Sequence, residues 1–241
     1  MLHDLGFAAR AGRVTAIAGP NGSGKTTLMR VLTGEIARPG QVRLNGLDVA
    51  RCPLPRLAGL RAVLPQAVQV AFPFALRDIV RMGHQAGDAA LRAGVVEAAL
   101  AAVDLADKAP VPVTELSGGE QARGHLARAL AQVWEPVGPQ GPRWLLLDEP
   151  VASLDIAHQL QVLRLARAFA DAKGGVVAVM HDLNLTAMFA DRLVLMAAGR
   201  VLAEGSPAEV LQGETLSAAY GCPLMPNRVP GAGPWLLPQA C

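Results

Sequence analysis

The chain has 241 residues, of which 51% are hydrophobic and 17% charged, and its formal net charge is +2. This length suits one large α/β domain with an inserted subdomain, and the small net charge argues against a nucleic-acid-binding surface. The sequence has no run of 18 uncharged apolar residues that could span a bilayer and no signal-peptide layout at its start. The three cysteines, Cys52, Cys222 and Cys241, lack metal-ligand spacing, which indicates free thiols in a reducing cytoplasm.

The first predicted elements surround a phosphate-binding loop. An apolar run over residues 14–18 predicts a strand, and residues 27–32 predict a helix. The chain between them reads Gly19-Pro20-Asn21-Gly22-Ser23-Gly24-Lys25-Thr26-Thr27. This segment fits the P-loop pattern, in which glycines let backbone N–H groups wrap a polyphosphate at the positive end of a helix. We expect Lys25 to reach the β- and γ-phosphates and the Thr26 hydroxyl to bind Mg²⁺, so the sequence predicts nucleotide binding.

The next segment divides into a short β part and a group of helices. Residues 42–44 begin a hairpin with Asn45-Gly46 as its turn, and residues 61–66 form a short strand that ends at Gln66. Helical apolar spacing then covers residues 78–83, 89–103 and 120–132. We therefore expect a single domain, with a core formed by residues 1–71 and 131–241 and a helical subdomain at residues 72–130.

The second half alternates strands and helices. Residues 135–142, rich in proline and glycine, predict a surface loop. The predicted elements that follow are a strand at 144–147, a helix at 156–172, a strand at 176–180, a helix at 183–190 and a strand at 192–196, before an irregular tail at 221–241. Continuous apolar strands between helices indicate a mostly parallel sheet covered on both faces. The fold class is therefore a P-loop α/β core with an inserted helical subdomain and a small antiparallel β part.

Two carboxylates, Asp148 and Glu149, end the buried strand at residues 145–147. Alone they could mark an acidic turn. Together with a P-loop they predict that Asp148 holds Mg²⁺, directly or through water, and that Glu149 polarises the attacking water as a general base. This pair indicates hydrolysis of the nucleotide rather than binding alone.

A third motif, Leu-Ser-Gly-Gly-Glu-Gln at residues 116–121, begins a helix and by itself is only a plausible N-cap. The P-loop, this motif and the acidic pair, in this order, resemble the ATP-binding-cassette family. Its signature is similar, with Glu120 as a variant in the fifth position. The resemblance extends to Gln66 as the Q-loop glutamine, which senses Mg²⁺ and the nucleophilic water, to Asp155 in the D-loop, and to His181 as the switch histidine that contacts the γ-phosphate.

The resemblance implies a composite site in a homodimer. In that family the signature of one subunit covers the ATP held by the P-loop of the other. The trans residues in this chain would be Ser117, Gly118, Gly119 and Asp155. The Mg²⁺ ligands would be Thr26, Gln66 and Asp148. Two ATP molecules would hold a head-to-tail dimer, which opens when the γ-phosphate contact is lost.

Further features resemble the ATPases of importers for haem, ferric siderophores and cobalamin. Residues 61–66, 72–74 and 78–83 are similar to the region that receives the coupling helix of the permease, and residues 157–159 and 231–238 are most similar to haemin importers. The resemblance implies an ATPase on the cytoplasmic face of the bacterial inner membrane that energises haem uptake beneath two permease subunits, with a periplasmic haem-binding protein as an indirect partner. The alternatives are a siderophore or cobalamin importer, a soluble cassette ATPase without a permease, and a regulator that binds nucleotide without turnover.

The sequence departs from the family pattern in two places. The family begins with a strand and an adenine-stacking aromatic residue, whereas only 18 residues precede Gly19 here and their one aromatic residue, Phe7, falls in the later strand. We expect that first strand and the adenine platform to be missing, through a shortened chain or a misassigned start, unless another residue stacks on adenine. Val151 and Ala152 also replace a threonine and a small polar residue beside the D-loop.

Overall fold

A computed structural model describes residues 2–38, 40–66, 72–87, 92–228 and 233 of the chain. The strands of the described part are β1 (Val14–Ala18), β2 (Arg43–Leu44), β3 (Leu47–Asp48), β4 (Arg61–Leu64), β5 (Val137–Gly138), β6 (Gly141–Pro142), β7 (Trp144–Asp148), β8 (Gly175–Val179), β9 (Arg192–Ala197) and β10 (Arg200–Gly205). The helices are α1 (Lys25–Leu32), α2 (Leu54–Leu60), α3 (Leu76–Ala86), α4 (Val95–Ala102), α5 (Gly118–Gln132), α6 (Ile156–Asp171), α7 (Leu183–Phe189), α8 (Pro207–Val210) and α9 (Gly213–Tyr220).

A six-stranded sheet in the order β10-β9-β1-β8-β7-β4 forms the centre of the molecule. All neighbouring pairs in it are parallel except β9 with β10. Every residue of β1, β7 and β8 is buried, as expected for strands covered on both faces. The mostly parallel sheet predicted from the sequence is therefore confirmed.

The register of the sheet brings the functional segments to one edge. Ile17 in β1 and Asp148 in β7 both pair with Val179 in β8. The carboxyl ends of these three parallel strands therefore lie side by side, and ligands of open α/β sheets bind at that edge. The P-loop follows β1, Glu149 follows β7 and His181 follows β8.

The helices α3, α4 and α5 pack on one another beside the sheet. A Cβ at Gly83 would lie 2.3 Å from the carbonyl oxygen of Arg128, so α3 and α5 approach too closely there for a side chain. The predicted helix at residues 89–103 is wrong in its start: α4 begins at Val95, after Gly94 with φ +80°, and residues 92–94 are not helical. Residues 89–91 lie outside the described residues. The boundaries of the helical subdomain stay a prediction.

Residues 135–142 form the hairpin β5–β6 rather than a loop without regular structure. The amide of Asn45 donates hydrogen bonds to the carbonyls of Gln140 at 3.3 Å and Pro142 at 2.8 Å. The indole N–H of Trp144 donates to the Asn45 side-chain oxygen at 3.0 Å. These contacts dock the hairpin on the turn between β2 and β3, a long-range interaction that proline and glycine content does not predict.

Two further differences concern the later part of the chain and its beginning. The elements β10, α8 and α9 follow the last strand that the sequence pattern predicted. Phe7 does not lie in a strand, since the first strand among the described residues is β1, and Phe7 packs, partly buried, against the core beneath it. No helix in the described part of the chain is long and apolar enough to cross a membrane.

Candidate functional site

The P-loop connects β1 to α1 and lines a cleft of about 710 Å³, and a smaller cavity shares Gln66 and Glu149 with it. A Cβ at Gly19 would lie 2.1 Å from the carbonyl oxygen of Met196 in β9, so only glycine fits at the start of the loop. Gly24, at φ +100°, occupies the N-cap position of α1 in a conformation that favours glycine. The free N–H groups at the start of α1 give this end of the helix a positive dipole, which suits a phosphate.

The cleft brings together predicted residues from four separate segments. Its lining consists of Asn21, Gly22, Gly24, Lys25, Thr26, Thr27, Gln66, Glu149 and His181. Gly19, Pro20, Ser23 and Asp148 do not line it. Ser23 is 2% exposed, and its hydroxyl has no hydrogen-bond partner in the described structure.

Lys25 is buried within the P-loop, 5% exposed. Its Nζ donates hydrogen bonds to the carbonyl of Gly19 at 2.8 Å and to that of Pro20 at 3.0 Å. Burial lowers the pKa of the ammonium, and the charges of Glu149 and Asp148 partly offset this change. The ammonium is therefore held at the mouth of the loop, within reach of an anion in the cleft.

Asp148, the last residue of β7, carries the carboxylate best suited to a divalent cation. It is 5% exposed, and its Oδ1 has no hydrogen-bond partner among the described residues. Burial, reinforced by the charges of Glu149 and Glu35, raises the pKa of Asp148 to about 6. A buried carboxylate oxygen without a partner is costly, and oxygen ligands of this kind suit Mg²⁺, so the chemistry of the Asp148 carboxylate and the Thr26 hydroxyl fits this ion.

Glu149 is the point at which the predicted catalytic residues meet. Its Oε1 lies 2.6 Å from Nε2 of His181, and its Oε2 accepts a hydrogen bond from the Gln66 amide at 3.0 Å. Glu149 also has φ +54°, an unfavourable conformation for a residue with a Cβ. Such strained positions persist only where the surrounding structure holds them and are concentrated at active sites. The structure thus groups Gln66, Glu149 and His181 around one carboxylate.

The signature motif forms the N-terminus of α5. The Ser117 N–H donates to Oε2 of Glu120 at 2.8 Å, and the Glu120 N–H donates to the Ser117 hydroxyl at 3.3 Å, which is a capping box. Ser117 and Gly118 are exposed, and neither they nor Gly119 line the cleft of their own P-loop.

Asp155, in the predicted D-loop, caps the N-terminus of α6. Its Oδ1 accepts a hydrogen bond from the His158 N–H at 2.9 Å, and its Oδ2 lies 2.8 Å from Nδ1 of the same residue. Hydrogen bonds from His158 lower the pKa of Asp155. Both carboxylate oxygens are thus occupied within the chain, so the structure gives Asp155 a capping role that spacing alone did not predict.

The sequence patterns did not indicate two residues beside the site, Tyr220 and His125. Burial raises the pKa of Tyr220, at the end of α9, and the backbone N–H of Gly19 near its hydroxyl partly offsets this change. His125 in α5 is 5% exposed, lines the smaller cavity of about 180 Å³ with Gln66 and Glu149, and has no described hydrogen-bond partner at either ring nitrogen. Burial, together with the Arg128 charge, lowers its pKa to about 4. The one available signal was that Tyr220 is the single tyrosine of the chain.

Comparisons with known proteins agree with this geometry. A family model described as ABC transporter matches residues 2–152. Hemin import ATP-binding proteins are similar along their length: that of Roseobacter denitrificans is 55% identical, with 100% of this chain and 92% of the relative covered, and that of a Jannaschia species is 54% identical, with 99% and 89% covered.

Two solved structures also resemble the chain. An ATP-binding subunit of an ABC transporter superposes with a TM-score of 0.76 at 22% identity, covering 90% of this chain and 89% of that one, which shows the shared fold. A bacterial Atm1-family ABC exporter with ATP bound gives a TM-score of 0.72 at 30% identity, covering 90% of this chain and 37% of that one.

Proposed function

Because the chain belongs to the ABC transporter family, we propose that it is the ATP-hydrolysing subunit of an importer that energises haem uptake across the bacterial inner membrane. The observation that carries the hydrolytic role is the meeting of Gln66 and His181 on the Glu149 carboxylate at the edge of the P-loop cleft. The cargo is supported by relatives named as hemin import ATP-binding proteins, which are 50–55% identical over nearly the whole chain.

The chemistry follows from the positions of five side chains. The P-loop amides and Lys25 bind the phosphates of ATP, and Glu149 takes a proton from the water that attacks the γ-phosphate in line. The new bond joins the water oxygen to the γ-phosphorus, the bond to the β-phosphate oxygen breaks, and ADP and phosphate leave. Thr26 and Asp148, with Gln66, would hold Mg²⁺, which would supply positive charge to the phosphates.

Nucleotide binding also frees an oxygen of Glu149, the general base. Both oxygens of Glu149 are engaged, one by His181 and one by Gln66. A γ-phosphate in the cleft would offer His181 an alternative acceptor. This change would release one carboxylate oxygen of Glu149, which could then accept the proton of the attacking water. Gln66 would be among the residues that hold Mg²⁺.

Partners are inferred from the surfaces that the chain leaves open. Ser117 and Gly118 are exposed and lie outside their own cleft, which supports a homodimer in which each signature covers the ATP of the other subunit. Phe72 and Phe74, whose ring centroids lie 6.1 Å apart, expose 67% and 43% of their surface, an apolar pair suited to contact with a permease. Met82 in α3 exposes 48%. The chain would thus act on the cytoplasmic face of the membrane, and the periplasmic haem-binding protein would contact only the permease.

The test is to express the chain with a candidate importer permease from the same genome, purify the complex in detergent and reconstitute it in vesicles. We expect Mg·ATP-dependent phosphate release that rises when a loaded haem-binding protein is added, together with haem transport. Stimulation by cobalamin or a ferric siderophore instead would reassign the cargo, and failure to purify with any membrane protein would favour a soluble cassette ATPase.

A further inference from the structure

The signature helix carries a carboxylate in its first turn, and the two oxygens of that carboxylate have different contacts. Oε2 of Glu120 accepts a hydrogen bond from the Ser117 N–H at 2.8 Å. Oε1 lies 3.7 Å from Nζ of Lys108, in the segment that connects α4 to the 3₁₀ turn Val113–Glu115. One oxygen therefore fixes the cap of α5, while the other faces a cation from a different element.

The negative charge of Glu120 opposes the binding of an anion at the start of α5. The free N–H groups at a helix N-terminus attract anions, and Ser117 and Gly118 are exposed there. Glu120 places a negative charge in the same turn, where it weakens that attraction and repels an approaching phosphate. Hydrogen bonds from Ser117 hold the pKa of Glu120 below its usual value, so this carboxylate is ionised at neutral pH.

Lys108 is the cation placed to offset that charge at the surface. The other cation near Glu120 is Arg123, one turn further along α5, whose guanidinium is 8% exposed and donates to the Val103 carbonyl inside the subdomain at 2.9 Å. The Lys108 side chain is 41% exposed and that of Glu120 23%, so their pair lies on the outer face near Ser117.

We propose that Lys108 is a positioning residue that neutralises Glu120, so that the signature end of α5 accepts the γ-phosphate of ATP bound by a second copy of the chain. The inference rests on the proposed function, in which Ser117 acts across the dimer. It assigns a role to a lysine that belongs to neither the P-loop nor the signature. It also explains how a glutamate is compatible with an anion-binding helix end.

A double-mutant cycle tests the pair. Lys108→Met removes the charge and keeps the length of the side chain, whereas Glu120→Gln keeps an oxygen for the cap and removes the negative charge. At low salt we expect Lys108→Met to raise the KM for ATP about two- to fivefold, the range of a partly exposed ion pair. In the Glu120→Gln background the same replacement should leave KM unchanged, and Lys108→Arg should restore the parental value.

Two controls separate this role from a structural one. Lys173→Met removes a lysine beside Gly12, at the end of α6, and should not change KM. The effect of Lys108→Met should shrink at high salt, since charge screening does not alter packing, while thermal unfolding shows whether each variant is folded. An equal rise of KM in both Glu120 backgrounds would mean that Lys108 acts on ATP without Glu120 and would overturn the inference.

The same variants in a Glu149→Gln background give a second measurement, the ATP concentration that half-saturates dimer formation in sedimentation experiments. Lys108→Met should raise that concentration by a similar factor. If the dimer forms normally but Lys108→Met has no effect, the pairing role is wrong and the proposed function stands. If Mg·ATP neither drives dimer formation nor is hydrolysed by the parent chain, the proposed function fails, and this inference fails with it.

Discussion

A few short hydrogen bonds fix the positions of individual side chains at this site. Glu149 holds a left-handed backbone conformation and shares its carboxylate between His181 and Gln66, and Lys25 is tied to two carbonyls of its own loop. Before a nucleotide enters, Gln66 and His181 are thus within hydrogen-bond distance of Glu149, and Lys25 is fixed to its own loop. Preorganisation of this kind avoids the cost of ordering side chains during the reaction.

Replacing Glu149 with glutamine should remove the general base and leave ATP binding intact. We expect turnover to fall on the order of 10²–10⁴-fold, the usual range for loss of a general base, and the ATP-bound dimer to persist. Phosphate release and sedimentation measure the two effects. Glu214→Gln, an exposed glutamate in the first turn of α9, is the matched control and should keep parental turnover. Hydrolysis at the parental rate in the Glu149 variant would exclude this residue as the base.

His125 should make folding sensitive to acid. Its pKa is about 4 in the folded chain, because burial and the positive charge of Arg128 disfavour the protonated imidazole. Asp148 and Glu149 face the same cavity and act in the opposite direction. The unfolded imidazole titrates near 6.5, so between these values only the unfolded state binds the proton. This contribution to stability is complete above about pH 6.5 and is lost as the pH falls towards 4.

The measurement is urea unfolding of the parent and of His125→Gln at pH 7.5 and pH 5.0. Between pH 7.5 and pH 5.0 the free energy of unfolding of the parent should fall by about 2 kcal/mol more than that of the variant. This is the upper value given by the His125 pKa shift. His84, also buried with a pKa lowered by burial, is present in both proteins and contributes equally. Equal losses for the two proteins would show that His125 already accepts a proton in the folded state.

At the scale of elements, the last helix reaches back to the first loop. α9 packs on the edge of the sheet through Leu216 and Ala219, and the hydroxyl of its terminal Tyr220 lies near the backbone N–H of Gly19. The start of the P-loop thus has Tyr220 on one side and the close carbonyl of Met196 on another. The last helix of the described chain is therefore a neighbour of the phosphate-binding loop.

Tyr220→Phe should weaken ATP binding and leave the turnover rate at saturating ATP close to the parental value. Loss of one hydrogen bond is worth about 0.5–1.5 kcal/mol, which corresponds to a rise in KM of about two- to twelvefold. Ser217→Ala is the matched control, because that hydroxyl lies on the same helix but accepts a hydrogen bond from the Leu224 N–H at 2.9 Å. A KM for Tyr220→Phe equal to that of Ser217→Ala would show that the contact with Gly19 does not affect binding.

At the scale of the whole molecule, the site within one chain is open. The cleft contains the P-loop, the base and His181, but Ser117 and Gly119 lie away from it. A second copy would have to supply the missing side, and each copy would then depend on the other. Because each copy would depend on the other, the proposed dimer can be tested by mixing two inactive variants.

Mixing a Ser117→Arg chain with a Lys25→Ala chain should restore part of the activity that each variant lacks. One of the two composite sites in a mixed dimer then combines an intact signature with an intact P-loop. Differently tagged chains allow the mixed dimers to be purified and their phosphate release measured. No recovery in purified mixed dimers would argue that Ser117 acts within its own subunit.

The sequence by itself determined the features that consecutive residues encode. Glycine spacing identified the P-loop, apolar runs identified β1, β7 and β8, and a strand ending in two acids marked Asp148 and Glu149. The small hairpin followed from Asn45-Gly46, whose φ values of +47° and +82° the structure shows. Each of these signals depends on local backbone conformation or on which face of an element is buried, and both are set by neighbouring residues.

Only the tertiary structure decided which distant residues meet. Gln66 and His181 contact Glu149 because β4, β7 and β8 are neighbours in one sheet, and strand order is not encoded in the period of any strand. For the same reason no pattern indicated the pairing of Lys108 with Glu120 or of Tyr220 with Gly19. Hydrogen bonds and ion pairs require a few ångströms between side chains, and in this chain those distances arise only when the sheet and the packed helices are assembled.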